Sequence, residues 1–348
     1  MRRFWLGLAV AGALSACSGG NPFTEAEDSG SDGGDGGGDT GTPIVRDGTP
    51  PGTASPTPSA GIFRSEPTEA DGGEEGDGYA TNISYDSATD TFNVDNLGFD
   101  GDNGYARGTA VSSLGPFAVY EADAQYPDST GGTPINQFTH RAIYGVSTSG
   151  NTQFAIVRTG SYVDYGFGGF IYQRDNGVTL PATGQAVYNG SMAGIRDFNG
   201  SGGLEYTTAD VQIAIDFDDF NDTSGQGGRA VQGQFSNRRI FDVNGNDITG
   251  DVLSRINSEN SLSLSSIPVL SLDVGPGALD DNGEILGTLT SFYTDSSGSV
   301  QVYEAGNYYA VVSGDNAEEI AGVVVVTNSI DPAADTVRET GGFIVYDN

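Results

Sequence analysis

The chain of 348 residues carries 14 basic against 47 acidic residues, a formal net charge of −33, and 54 glycines. All of the basic residues are arginine, so Schiff-base lysines, a P-loop lysine and lysine general bases are excluded, and so strong an acidity repels nucleic acid and anionic lipid surfaces. With a single Cys, a single His and a single Trp, no disulfide can form within the chain, so a packed core must supply the stability of any folded part.

Residues 1–16 read as a lipoprotein signal peptide. Arg2 and Arg3 form the charged start, and the apolar stretch from Phe4 to Leu14 is too short to span a bilayer as a helix. The stretch Leu14-Ser15-Ala16-Cys17 then matches the bacterial lipobox, in which small residues give the signal peptidase access and the thiol takes a diacylglycerol. Cys17 is therefore the expected lipidation site, and several acyl chains on one residue anchor a protein durably. The competing reading is an ordinary secretory signal with an incidental Cys. Ser18 in place of Asp is similar to outer-membrane routing in Gram-negative bacteria.

Residues 17–78 read as a lipidated, disordered linker rich in Gly, Asp and Pro, with GSDGGDGGGDTG at 30–41 and TPPGTASPTPSAG at 49–61. So little apolar surface cannot offset the entropy of ordering. About 60 such residues give a root-mean-square reach of roughly 40 Å. The Asp-Gly run lacks the apolar position every ninth residue that a calcium-binding coil requires.

Beyond residue 78 short alternating apolar runs, punctuated by Gly, Asn, Asp and Ser, predict an all-β fold with no helix. A handle-like sheet domain is expected over 79–178, with strands at Ala80–Tyr85, Thr91–Asp95, Pro116–Glu121, Arg141–Val146, Gln153–Arg158 and Tyr162–Gln173. An eight-stranded antiparallel β-barrel is expected over 179–348, from runs at 184–196, 210–220, 230–241, 262–272, 285–294, 299–313, 319–328 and 337–347. Eight strands close around an interior just wide enough for side chains and remove the exposed edges. In 210–220, Val211, Ile213, Ile215 and Phe217 alternate with Gln212, Ala214, Asp216 and Asp218, one face to a core and the other to water. A transmembrane barrel would reverse the two faces. Gly184, Gly190 and Gly194 stand where a small barrel must bend or admit a bulky neighbour. Tyr188, Tyr303, Tyr308, Tyr309 and Phe343 would fill the core, or else line a ligand cavity.

The segments Tyr162-Val163-Asp164-Tyr165-Gly166-Phe167 and Leu180-Pro181-Ala182-Thr183-Gly184-Gln185-Ala186-Val187-Tyr188-Asn189-Gly190 resemble the entry and barrel opening of the transferrin-binding protein B group of surface lipoproteins. Asp216-Phe217 with Val231-Gln232-Gly233 is similar to that group's second-to-third strand hairpin. Gly314-Asp315-Asn316-Ala317-Glu318-Glu319-Ile320-Ala321-Gly322 is similar to its closing segment. The resemblance covers roughly 160–348, and 78–160 fits a handle domain by position only. Tyr309-Ala310 and Ala321-Gly322 depart from the group's glycine pattern, and one lobe stands where two are usual. The resemblance implies the fold, a lipid anchor in the outer membrane, exposure at the cell surface through surface lipoprotein export machinery, and a protein or iron- or haem-carrier ligand. It does not imply transferrin itself.

No chemistry-bearing constellation accompanies this pattern. His140 is alone, so neither a multi-histidine metal site nor a Ser-His-Asp arrangement with a G-x-S-x-G elbow can be assembled. Asp216, Asp218 and Asp219 offer carboxylates to a glycosidase reading, against which stands a solvated strand face. The loops beginning at Asp197 and Asp242 start like calcium loops but carry Thr208 and Leu253 at the twelfth position; hairpin loops without helical flanks are expected instead. The expectation is a non-enzymatic surface binding module or co-receptor with no cofactor and no metal, against a structural or adhesion lipoprotein and a periplasm-facing solute-binding lipoprotein.

Overall fold

The computed structural model describes residues 48–128, 130–161, 164–218 and 228–347. Cys17 and the whole signal segment lie outside the described residues, as do Tyr162 and Val163 of the resemblance motif and Asp219. The first half builds a curled antiparallel sheet from β1 (Ile62–Ser65), β2 (Thr81–Asp86), β3 (Thr91–Asp95), β4 (Gly104–Arg107), β5 (Ser113–Leu114), β6 (Phe117–Glu121), β9 (Arg141–Val146), β10 (Thr152–Arg158) and β11 (Gly168–Arg174). The short ribbon β7 (Gln125–Pro127) with β8 (Pro134–Asn136) stands apart. The order across the sheet is β1-β11-β10-β9-β6-β4-β3-β2, with β5 beside β6. In β10, Phe154 and Ile156 pack toward the barrel while Ala155 and Val157 pack toward β3 and β4. Both faces are covered, so this strand is apolar at successive positions instead of alternating.

The linker expected over 17–78 does not extend to residue 78. Ile62–Ser65 pair with Ile171–Arg174, and Ile62 is buried. A four-residue strand flanked by Gly, Pro and Ser gives too weak a composition signal, and its order comes from the sheet edge it joins. The strand expected at Tyr162–Gln173 begins only at Gly168.

The second half closes a barrel from β12 (Gln185–Phe198), β13 (Ser201–Asp216), β14 (Arg229–Phe241), β15 (Leu270–Leu272), β16 (Gly275–Leu279), β17 (Glu284–Thr294), β18 (Val300–Ser313), β19 (Glu319–Asn328) and β20 (Val337–Asp347). Short β15 and β16 share one of the eight positions, both bridging β14 to β17, and the β13–β14 pairing completes the ring. Val211, Ile213, Ile215 and Phe217 face the interior as the alternation requires, with Tyr188, Phe235, Tyr308 and Phe343 beside them. Tyr309 instead faces outward and stacks on Phe170 of the sheet at 6.2 Å. At Gly190 a Cβ would run into the backbone of Ile344 on the neighbouring strand, so only Gly permits that approach.

Two expectations fail here. The run 262–272 is a strand only at Leu270–Leu272, and the preceding segment forms α1 (Thr249–Asn260). Thr, Gly, Asn and Ser make α1 a weak helix former. It is held by burial of Val252, Leu253 and Ile256 against Ile240, Ile267 and Tyr303. The Asp242 loop therefore does have a helix on its far side. Asp242 accepts hydrogen bonds from the backbone of Asn244 and Asn246, and the turn feeds Thr249, whose N–H bonds Asp247.

Candidate functional site

Every described arginine is engaged within the protein, and most of them build two buried ionic networks. The first lies inside the barrel beneath α1. Arg238 on β14 reaches Glu304 on β18 and Glu339 on β20, the latter at 2.8 Å. These strands are not neighbours, so the bonds cross the lumen. Thr207 and Ser291 donate to the same two carboxylates at 3.0 and 3.1 Å. Arg196 joins Glu205 and Asp331, and Arg255 of α1 forks onto Asp331 at 2.7 Å with both its Nε and a terminal nitrogen. Burial opposes the charge on Asp331, but the hydrogen bonds from Arg255 and the field of Arg196 overcome it and hold the carboxyl below its ordinary value. Apolar side chains fill the rest of the lumen. Tyr188, one of the aromatics that could have lined a cavity, donates its hydroxyl to the Ala317 carbonyl at 2.7 Å.

The second network fastens the sheet to the barrel. Arg158 on β10, with no exposed side-chain surface, bonds Glu66 at 2.5 and 2.8 Å and Thr340 at 3.0 Å. Arg338 on β20 forks onto Asp197 at 2.8 and 3.1 Å, reaches Asp77 at 2.6 Å and lies 4.4 Å over the ring of Tyr165. Arg64 forks onto Glu284 at 2.7 and 2.8 Å. Asp197, a candidate calcium ligand by sequence, is thus a fully buried ion-pair partner.

At one end of this seam a cleft of about 860 Å³ opens between the β9–β10 turn, the Pro58–Ser59 segment and the β18–β19 loop. Its lining includes Ser59, Ser149, Asn151, Asn176, Asp315, Glu318 and Glu319, with no cationic side chain. Gly314 takes φ +105° to start the loop, and Ala317, at φ 57°, is buried as a plug in the barrel end. Glu319, 4% exposed, accepts hydrogen bonds from Ser147, Ser149 and Thr152 at 3.0, 2.9 and 3.1 Å. Three hydroxyls satisfy this carboxylate without neutralising it. The sequence motif running from Gly314 to Gly322 therefore forms the cleft floor and ties it to the sheet. Asp315 and Glu318 remain exposed. The volume falls within the range of small-ligand sites, and such clefts favour domain junctions. With exposed carboxylates and no cation in the lining, its charge favours cations over anions, beside amides and hydroxyls that can donate or accept hydrogen bonds.

The other sequence candidates do not converge. His140 is fully buried, its Nδ1 3.4 Å from the Phe138 carbonyl and its ring beside Tyr105. Burial and the nearby Arg141 charge push its pKa down to about 4. Asp216 is buried, not solvated as its strand pattern implied, and it accepts from Gln185 at 2.9 Å and from the Asp218 backbone at 3.0 Å. Asp218 accepts from the Gly184 backbone at 3.0 Å. Among the described residues no three His, Cys, Asp or Glu side chains are grouped so as to hold a metal ion. The ionic networks escaped the sequence reading. An Arg on a strand looks solvated, and the absence of Lys was the one available signal, since fork-shaped bidentate pairing favours Arg.

No family model and no curated protein matches the chain. Among solved structures, the chain is similar to a double mutant of the vaccine antigen transferrin-binding protein B from Haemophilus parasuis Hp5, at 10% identity and a TM-score of 0.37, covering 83% of this chain and 45% of that one. It is similar to the intact Ap-TbpB structure, with N and C lobes, at 12% identity and a TM-score of 0.36, covering 82% of this chain and 46% of that one. A structure described as a surface lipoprotein matches at 14% identity and a TM-score of 0.31, covering 59% of this chain and 80% of that one. The chain thus spans less than half the length of the two transferrin-binding protein B structures.

Proposed function

We propose that the protein is a non-enzymatic binding module, anchored through a lipid on Cys17 and displayed at the surface of a Gram-negative outer membrane, that takes a protein ligand at the sheet–barrel junction. The observation that carries the reading is the junctional cleft, acidic and free of cationic lining, beside a barrel whose lumen is full. Asp315 and Glu318 suit a basic or amide-rich segment of a partner. Haem, with its anionic propionates, fits this lining poorly, so within the nutrient-receptor class a carrier protein is favoured over a bare cofactor. The lipobox supports the anchor, and the Gly- and Asp-rich stretch that follows supports display at a distance from the membrane. Delivery to the surface would use a lipoprotein export system.

Two measurements test this. Incorporation of labelled palmitate by intact cells, abolished in Cys17→Ser, together with digestion of the folded part by added protease, is the expected outcome; protection from protease would move the module to the periplasmic face. For the cleft, an oligo-arginine peptide serves as probe by calorimetry. Asp315→Asn with Glu318→Gln should weaken its binding several-fold while Asp281→Asn, on an exposed turn, does not. Equal weakening by both would reduce the cleft to diffuse surface charge.

A further inference from the structure

Net charge and local charge diverge on one wall of the barrel. Through the paired residues Gln212, Gln234, Ser271, Thr290, Ala305 and Thr327, a single row of outward positions crosses six strands without a charged side chain. In the next row toward α1, Phe292 is paired with Val302 and Val269 lies one position outward from the Leu270–Ser291 pair, with Ser236 and the exposed Asp210 following on β14 and β13. With Val300 at the hairpin tip, these side chains are 54%, 51%, 41% and 68% exposed. Carboxylates border this wall at Asp210, Asp273 and Asp295, the first two exposed, while Arg64, Arg158, Arg196, Arg238 and Arg338 are turned to internal partners.

The same hairpin projects past its neighbours. Pairing of β17 with β15 stops at Ser291, and pairing of β18 with β19 stops at Glu304. Among the described residues, Phe292–Thr294 and Val300–Val302 pair only with each other. Natural proteins blunt such edges with charge or proline, and here the outward positions carry neither.

We infer that this wall is a homodimer interface, in which the β17–β18 hairpins of two copies meet across a two-fold axis. The occupant follows from the charge distribution. A basic partner would be drawn to the acidic remainder of the surface and gains nothing from a neutral row. A bilayer would require an apolar belt where Gln, Ser and Thr stand. Two chains of −33 each repel wherever carboxylates face one another, and an uncharged row beside an apolar centre is a patch on which an identical copy brings few like charges together. Depletion of charge around an apolar, aromatic-containing centre is the composition of an interface core, and an isologous two-fold contact needs one self-complementary patch.

Sedimentation velocity on the full chain carrying Cys17→Ser, across a concentration series, tests the inference. A dimer is expected, with Phe292→Glu and Val302→Glu each weakening association by about tenfold or more, and with Asp281→Asn leaving it unchanged. A thermal melt checks that each variant is folded; should Phe292→Glu melt early, Val300→Glu at the most exposed position replaces it. A chain that stays monomeric throughout the series overturns the proposal. So does a dimer insensitive to these substitutions, and so does a folded monomer that instead retains a neutral glycan probe such as dextran through Phe292.

Discussion

The barrel lumen and the sheet–barrel seam both bury arginines among carboxylates, but the two arrangements constrain different things. In the lumen, Arg238 links β14 to β18 and β20, so its bonds span the ring and fix the cross-section of a barrel already closed by strand pairing. In the seam, Arg158, Arg338 and Arg64 connect two sheets that share no strand pairing, beside a mixed apolar layer of Phe154, Ile156, Ile195 and Ile344. Charge in the first case occupies the interior, and in the second it sets the orientation of the surfaces that border the cleft. A bidentate pair specifies an angle as well as a distance, which apolar packing alone does less sharply.

The largest effect should come from opening the seam. Arg158→Ala leaves Glu66 without its cation in a buried site and removes a neighbour of Asp77 and Asp197; about 3–5 kcal/mol of stability should be lost in urea unfolding. If the two sheets then unfold in separate transitions, the seam is what couples them; a single transition would show that the apolar layer suffices. Arg238→Met should cost less, about 2–4 kcal/mol, because its methylenes are retained in a closed barrel, but Glu304 and Glu339 lose their partner. A smaller loss at Arg158 than at Arg238 would reverse the comparison.

Acid should act next. His140, in the sheet, has a folded pKa near 4 against an ordinary value of 6.5. Between those values the unfolded chain binds a proton that the folded chain does not, so stability rises with pH through that window and falls as the pH drops from 6.5 toward 4. The expected loss is about 3 kcal/mol. His140→Phe should flatten this slope in urea titrations at pH 4.5 and pH 6.5; an unchanged slope would assign it to other groups. A further check on the seam is Gly342→Ala, since a Cβ there would overlap the Phe154 ring; about 1–3 kcal/mol should be lost by thermal melting. The smallest effect is expected at the rim, where Arg239 pairs with Asp247 in an exposed setting. Arg239→Ala should change stability by less than about 1 kcal/mol.

What could be read from the sequence follows from where side chains have only one wet face. The alternation of Val211, Ile213, Ile215 and Phe217 predicted their interior positions, and most barrel strands were located from such runs. The helix α1 was invisible because its few apolar residues act only against Ile240 and Tyr303, a tertiary cause that no local window contains. β1 was lost in a composition typical of linkers. The cleft was half legible: Gly314, Ala317 and Glu319 stood out as a motif, but their meaning depends on Ser147, Ser149 and Thr152, which lie far away in sequence. Asp216 misled because a strand position opposite the core need not be wet when a neighbouring amide such as Gln185 covers it.

The entry of the chain into the sheet has a mechanical consequence. Pro51–Thr53 folds back along Phe63–Ser65, with Thr53 N–H on the Phe63 carbonyl at 3.0 Å and Ser65 N–H on the Pro51 carbonyl at 2.9 Å. Tension applied ahead of residue 50, as by a tether in flow, would pull this pair open like a zipper, breaking its bonds in succession. The next resistance is the Thr57–Ala60 stretch, where the Val178 N–H bonds the Pro58 carbonyl at 2.7 Å and Arg174 donates to the carbonyls of Thr57 and Ala60, with the Arg64–Glu284 fork to the barrel wall behind it. Only the short pair at 51–53 stands ahead of the Pro58–Ser59 wall of the cleft, so the leading end gives before that wall is loaded.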